Sequence, residues 1–246
     1  VGPGVTEVKP GERVAYAGGA PGAYAEARLI AADRLVPLPA GVSDEQAAAM
    51  MLAGMTAQYL LRRTYALQPG DVILFHAAAG GVGLIACQWA QHLGATVIGT
   101  VGSNAKVALA REHGCAHVVV YTRENIVERV REITGGRGVA VVYDSVGHDT
   151  WDASLDCLRP LGMMVSFGNA SGPVKPFSPL LLAQKGSLYL TRPTLVTYTA
   201  TREDLLATAR DLFEVVLSGA VKIEIHQRFS LKDAAAAHAA LESRRT

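Results

Sequence analysis

The residues most able to do chemistry are the six in Ala78-Ala79-Gly80-Gly81-Val82-Gly83, which follow the apolar run Asp71-Val72-Ile73-Leu74-Phe75 and open a helical stretch. This is the G-x-G-x-x-G spacing with alanine in the first place. Such a turn must be tight. A glycine at Gly80 lets a pyrophosphate approach the backbone, and one at Gly83 lets helix pack on strand. The helix start then offers unpaired N–H groups and the positive end of a dipole. The alternative is a plain strand-to-helix turn. The strand before, the helix after and a second strand–helix unit beyond favour the nucleotide reading.

The second strand, Thr96-Val97-Ile98-Gly99-Thr100-Val101, bears on which nucleotide. A site for NAD offers Asp or Glu about twenty residues past the glycines for the ribose 2′-hydroxyl. None stands there. Gly102-Ser103-Asn104-Ala105-Lys106 follows instead, small and polar with one cation, which suits a 2′-phosphate and so NADPH. The competing reading makes Lys106 a solvated helix residue.

Other chemistry finds little support. There is no Ser/Lys/Tyr set, no G-x-S-x-G and no Walker loop. His113, Cys115 and His117 alternate with other residues, but they straddle Gly114 at a helix-to-strand junction where Cys115 reads as a core plug, so no metal is expected. His76 reads as a packed or capped histidine, and Cys87 as core. Hydride transfer needs alignment and water exclusion more than a dedicated acid or base, so no catalytic side chain is assigned.

These groups need a scaffold, and the apolar pattern supplies one. Further runs at His117–Val120, Val139–Tyr143, Met163–Phe167 and Ser187–Thr191 alternate with helical segments Leu84–Leu93, Ala105–His113, Asn125–Thr134 and Thr150–Leu158. That grammar predicts an α/β, Rossmann-type, doubly wound six-stranded parallel sheet. Before it, short strands are expected in residues 11–38. Ser43 with Gln46 makes a helix start, and helical material lies on both sides of Gly54. After it come a helix over Arg202–Leu217, an extended piece over Val221–Phe229 and a last helix from Leu231 to Arg244.

Composition sets the outer bounds. The 246 residues are 50% hydrophobic and 18% charged, with 23 Lys+Arg against 22 Asp+Glu. A net charge of +1 gives no bulk case for nucleic acid or an anionic membrane as partner. Three dispersed cysteines without a CxxC argue against a disulfide framework and for a cytoplasmic protein. No apolar run is long enough for a membrane span.

Several segments resemble the zinc-independent quinone oxidoreductase and zeta-crystallin branch of the medium-chain dehydrogenase/reductase superfamily. They are Val8–Val14, Gly22–Glu26, Ala47–Ala49, His76–Gly83, Tyr143–Gly147, Phe167–Asn169, Ala237–His238 and Leu241–Arg244. The resemblance implies remnants of a GroES-like, β-rich substrate domain in residues 1–38, with its front missing. It implies connecting helices over 39–66, the NADP-binding Rossmann domain over 67–195, and C-terminal helices and a strand over 196–246 returning to the substrate domain. It also implies roles: Gly80, Gly81, Val82 and Gly83 at the pyrophosphate; Gly102, Ser103 and Lys106 at the adenosine phosphate, with Tyr121 beside it and the adenine. Phe167, Gly168, Asn169 and Ala170 with Thr191, Arg192 and Pro193 would line the nicotinamide half. Thr56 would offer a hydroxyl near nicotinamide and phosphates, and Arg244 would contact the cofactor. Tyr121 as a rim aromatic, Thr56 as a backbone-bonded helix residue and Arg244 as a surface charge are the alternatives. The implied activity is NADPH-dependent reduction of a small quinone, by a homodimer joined through the Ser187–Thr191 edge. Enone or enal reduction on the same scaffold, and a non-enzymatic NADPH- or RNA-binding crystallin-like protein, are the rival readings.

Overall fold

A computed structural model describes residues 1–242 of the chain. Two short strands come first, β1 (Val14–Ala15) and β2 (Val36–Pro37), paired antiparallel. Ser43 then starts α1 (Asp44–Tyr59) with a full capping box, its hydroxyl accepting from the Gln46 amide while the Gln46 side chain accepts from the Ser43 amide. Gly54 does not interrupt α1. A Cβ there would fall 2.5 Å from Leu212 Cδ1, so this glycine lets another helix come close.

The six expected strands form one sheet: β3 (Val72–Phe75), β4 (Thr96–Val101), β5 (Cys115–Val120), β6 (Val139–Asp144), β7 (Leu158–Ser166) and β8 (Tyr189–Thr191). Their spatial order is β5-β4-β3-β6-β7-β8, and every pair is parallel. The order reverses between β3 and β6, and this is where an open parallel sheet opens a crevice at its carboxyl edge.

Alternation along each strand splits the core in two. Ile73, Phe75, Val97, Val141 and Tyr143 pack with Met50, Ile85, Trp89 and Leu212 on one face. Leu74, Ile98, Val119, Val142 and Met164 pack with Val130, Trp151, Leu155 and Leu188 on the other. Helices α1, α2 (Gly81–His92) and α8 (Arg202–Leu217) cover the first face. Helices α4 (Ile126–Thr134) and α5 (Trp151–Cys157) cover the second, while α3 (Val107–Glu112) leads from β4 to β5. Each fully buried Leu, Ile or Phe contributes about 1.5–3 kcal/mol.

Several boundaries differ from the sequence expectation. Helix α2 begins at Gly81, because Gly80 is its cap and the glycine turn is itself the first helical turn. The β7 strand starts at Leu158, with its register to β6 shifting across Pro160-Leu161-Gly162. At the other edge β8 loses Ser187, whose φ of +55° leaves the extended region. Two short helices, α6 (Leu180–Gln184) and α7 (Leu195–Tyr198), appear where none was expected. Val221–Phe229 forms no strand, since no ladder partner lies beside it among the described residues. The final helix is a 3-10 turn followed by α9 (Ala234–Glu242).

Candidate dinucleotide-binding site

The carboxyl ends of β3, β4 and β5 lie side by side, so the turns that leave them form one ledge. After β3 the chain bends sharply: Ala77 takes the left-handed conformation at φ +54°. Its amide donates to Thr100 Oγ1 at 3.3 Å, and the Ala78 amide to Thr100 O at 3.0 Å. The Gly80 amide closes the turn on Ala77 O at 2.9 Å.

Each glycine does a separate job. A Cβ on Gly83 would sit 2.5 Å from Ala77 O and 2.6 Å from Ala78 O, so nothing larger fits there. A Cβ on Gly81 would meet nothing within 4 Å, which leaves the helix start open on the side where a phosphate could approach. Ala78, in the place of the first glycine, is buried, and a Cβ on Gly99 would lie 2.7 Å from the Ala78 methyl. The glycine absent from the turn is in effect present on the neighbouring strand.

At the end of β4, Gly102 faces Tyr121 from the end of β5. A Cβ at Gly102 would come 2.8 Å from the Tyr121 hydroxyl, while the tyrosine itself is 46% exposed. Thr122 Oγ1 donates to Gly102 O at 3.2 Å and ties the two turns. Ser103 is exposed, and Lys106 ends a 3-10 turn whose amide donates to Ser103 O at 3.1 Å. No ion pair engages the Lys106 ammonium among the described residues.

A second ledge forms at β6, β7 and β8. The Phe167 amide donates to Asp144 O at 2.8 Å and the Ala170 amide to Ser145 O at 3.1 Å. A Cβ on Gly168 would lie 2.4 Å from Ser145 O, so the segment 167–170 lies flat on the end of β6. Asn169 and Ala170 are exposed beside it. From β8, Thr191 is half-buried, Arg192 Nη1 donates to Ser166 O at 2.7 Å, and Pro193 is buried. Thr56 is buried on α1, one turn before Tyr59. Arg244 lies outside the described residues.

The sequence reading missed what holds the two ledges together. Asp144, fully buried, accepts from the Val146 amide at 2.7 Å, the Gly147 amide at 3.0 Å, Thr150 Oγ1 at 2.7 Å and Ser154 Oγ at 2.9 Å. Ser154 in turn meets the ring of His76, also fully buried. Burial pushes the His76 imidazole below the ordinary histidine value, with the Asp144 carboxylate pulling the other way. The available signal was a polar residue closing each of two apolar strands.

His113, Cys115 and His117 do not converge on a metal. His113 Nδ1 lies 2.8 Å from Leu109 O and its Nε2 3.5 Å from Glu224, while His117 points outward. Among the described residues no three His, Cys, Asp or Glu side chains gather in a way that could hold an ion.

Comparison with known proteins matches residues 81–214 to the family described as zinc-binding dehydrogenase. A quinone oxidoreductase of Pseudomonas aeruginosa is 57% identical over 100% of the chain and 76% of its own length. The crystal structure of Escherichia coli quinone oxidoreductase complexed with NADPH superposes with a TM-score of 0.97 at 54% identity, over 100% of this chain and 76% of that one. The chain belongs to the quinone oxidoreductase family. Within the medium-chain dehydrogenase/reductase superfamily this is the branch that the sequence motifs resemble. A 2-haloacrylate reductase from Burkholderia sp is also similar, 47% identical over 100% of the chain and 75% of its own length.

Proposed function

We propose that the chain is an NADPH-dependent quinone oxidoreductase that passes hydride to a small quinone without a metal. The observation that carries the reading is the end of β4: no carboxylate for a ribose 2′-hydroxyl, and a Lys106 without an ion pair among the described residues, close in sequence to the Gly102–Tyr121 contact. A bound NADPH supplies the reactive C–H bond of its nicotinamide. The chain's own part is to bind, orient and exclude water. In this reading the open amides at Gly81 and Val82 and the α2 dipole hold the pyrophosphate, which Gly80 lets approach the backbone. Lys106 and Ser103 take the 2′-phosphate against Tyr121. The segments Phe167–Ala170 and Thr191–Pro193 set the nicotinamide plane, with Thr56 and Arg244 as further contacts.

The test is NADPH oxidation by the protein against small benzoquinones and naphthoquinones, with enones and a haloacrylate as competitors. Turnover of quinones with kcat/KM at least tenfold above that for the enoates is expected. The reverse order favours the second reading, which the 2-haloacrylate reductase relative supports.

A homodimer through β8 belongs to the same reading. The strand pairs only with β7 among the described residues, and Tyr189 on β8, Leu161 on β7, and Leu180 and Val196 on the helices before and after β8 in the chain are exposed. Sedimentation giving a monomer at micromolar concentration would rule it out. Three free, buried cysteines favour a reducing compartment such as the cytoplasm, and no helix among the described residues is long and apolar enough to cross a membrane.

A further inference from the structure

Beneath the glycine turn runs a line of polar groups that hydride transfer itself does not use. His76, Ser154 and Asp144 are each 0% exposed, and Thr100 is 1% exposed. His76 Nε2 stands 3.0 Å from Ser154 Oγ, and its Nδ1 stands 3.1 Å from Thr100 Oγ1. The direction of every bond follows from what each group can give. Asp144 receives two backbone amides on one carboxyl oxygen and two hydroxyls on the other, the pattern that an acceptor-only carboxylate satisfies in full, so it is the ionised end. Ser154 therefore donates to it, and the serine oxygen is left to accept. The proton facing that oxygen must then sit on His76 Nε2. A neutral ring protonated there has a bare Nδ1, so Thr100 donates its hydroxyl to the ring and accepts the Ala77 amide. The line thus points one way, from the dinucleotide turn to a buried carboxylate, with each group's donor and acceptor in this line used.

The upper end of the line is the strained one. Ala77 holds φ +54° without being glycine, a conformation that persists only where its surroundings fix it. Thr100 supplies both the acceptors that do so, through its hydroxyl and its carbonyl. We infer that His76 and Ser154 are positioning residues: the Asp144 carboxylate, acting through Ser154, locks His76 as the Nε2–H tautomer, and that tautomer fixes Thr100 and the left-handed Ala77 turn that receives the pyrophosphate. This rests on the NADPH reading above. It concerns the part of the nucleotide that NADPH and NADH share, so it has a signature distinct from that of Lys106.

Long-range 1H–15N spectra of the histidine-labelled protein read the tautomer directly, without nucleotide and without a variant. A proton on Nε2 with a bare Nδ1 is expected, and a proton on Nδ1 overturns the inference. Fluorescence titration of Ser154→Ala supplies the second arm. NADPH and NADH are each expected to weaken roughly three- to tenfold, the loss of about one net hydrogen bond, with the ratio between them kept. The His76 ring signals should change with them. Unchanged affinity for both nucleotides contradicts the inference. If the unaltered protein binds neither nucleotide, the proposed function falls, and the tautomer still decides whether the line is built as described.

Discussion

The two ledges of the carboxyl edge are built by different means. At β3, β4 and β5 the backbone is shaped by missing side chains: a Cβ would lie 2.5 Å from Ala77 O at Gly83, 2.5 Å from Cys115 Sγ at Gly99 and 2.8 Å from the Tyr121 hydroxyl at Gly102. At β6, β7 and β8 Gly168 makes one such approach, and the rest of the shaping comes from bonds made across the strand ends, Phe167 to Asp144 O, Ala170 to Ser145 O and Arg192 to Ser166 O. The first ledge is thus set largely by close approaches that only glycine permits, within the turn and from one strand end to the next. The second depends on partners more than twenty residues away. On the proposed reading the first ledge is the phosphate cradle and the second the nicotinamide bed.

Substitutions can break that contrast. The largest effect is expected from Gly83→Val, which drives an isopropyl group into the carbonyls of Ala77 and Ala78. It should destabilise the fold by about 3 kcal/mol in denaturant melts and abolish binding of NADPH and NADH alike. Near-normal binding would mean that the first ledge yields as easily as the second. Gly168→Ala comes next. Its methyl would meet Ser145 O at 2.4 Å and tilt the 167–170 segment, so kcat should fall roughly 100-fold while the nucleotide dissociation constant moves little. Equal losses in both would erase the division between the ledges.

The smallest effect is on stability with pH, and it concerns the line of groups joining the two. Burial holds the folded His76 pKa below its unfolded value of about 6.5. Its contribution is therefore complete above that value and lost as pH falls beneath it, because the unfolded chain takes up the proton more readily. Melts at pH 7.5 and 5.0 should show a drop in Tm on acidification. In His76→Gln, which cannot take up that proton, the drop should shrink.

Much of this architecture was legible beforehand. The apolar runs at Val72–Phe75 and Val139–Tyr143 mark strands buried on both faces, and the glycines between Ala79 and Leu84 mark the turn. The start of α2 was hidden, because Gly81-Val82-Gly83 has poor helix propensity and becomes helical only when Gly80 caps it. Ser187 and Leu161 were hidden too, as left-handed residues that are not glycine. The polar line showed in the sequence only as a polar residue closing each of two apolar strands. Positions 76, 100, 144 and 154 share no spacing, and only the strand order brings them together.

On the proposed reading the first ledge is built for a 2′-phosphate. Paired fluorescence titrations of NADPH and NADH, on the protein and on Lys106→Ala, address it most directly. NADPH is expected to bind at least tenfold more tightly, and the substitution to remove most of this preference by weakening NADPH alone. Equal affinities for the two nucleotides in the unaltered protein, or a preference that survives the loss of Lys106, would contradict it.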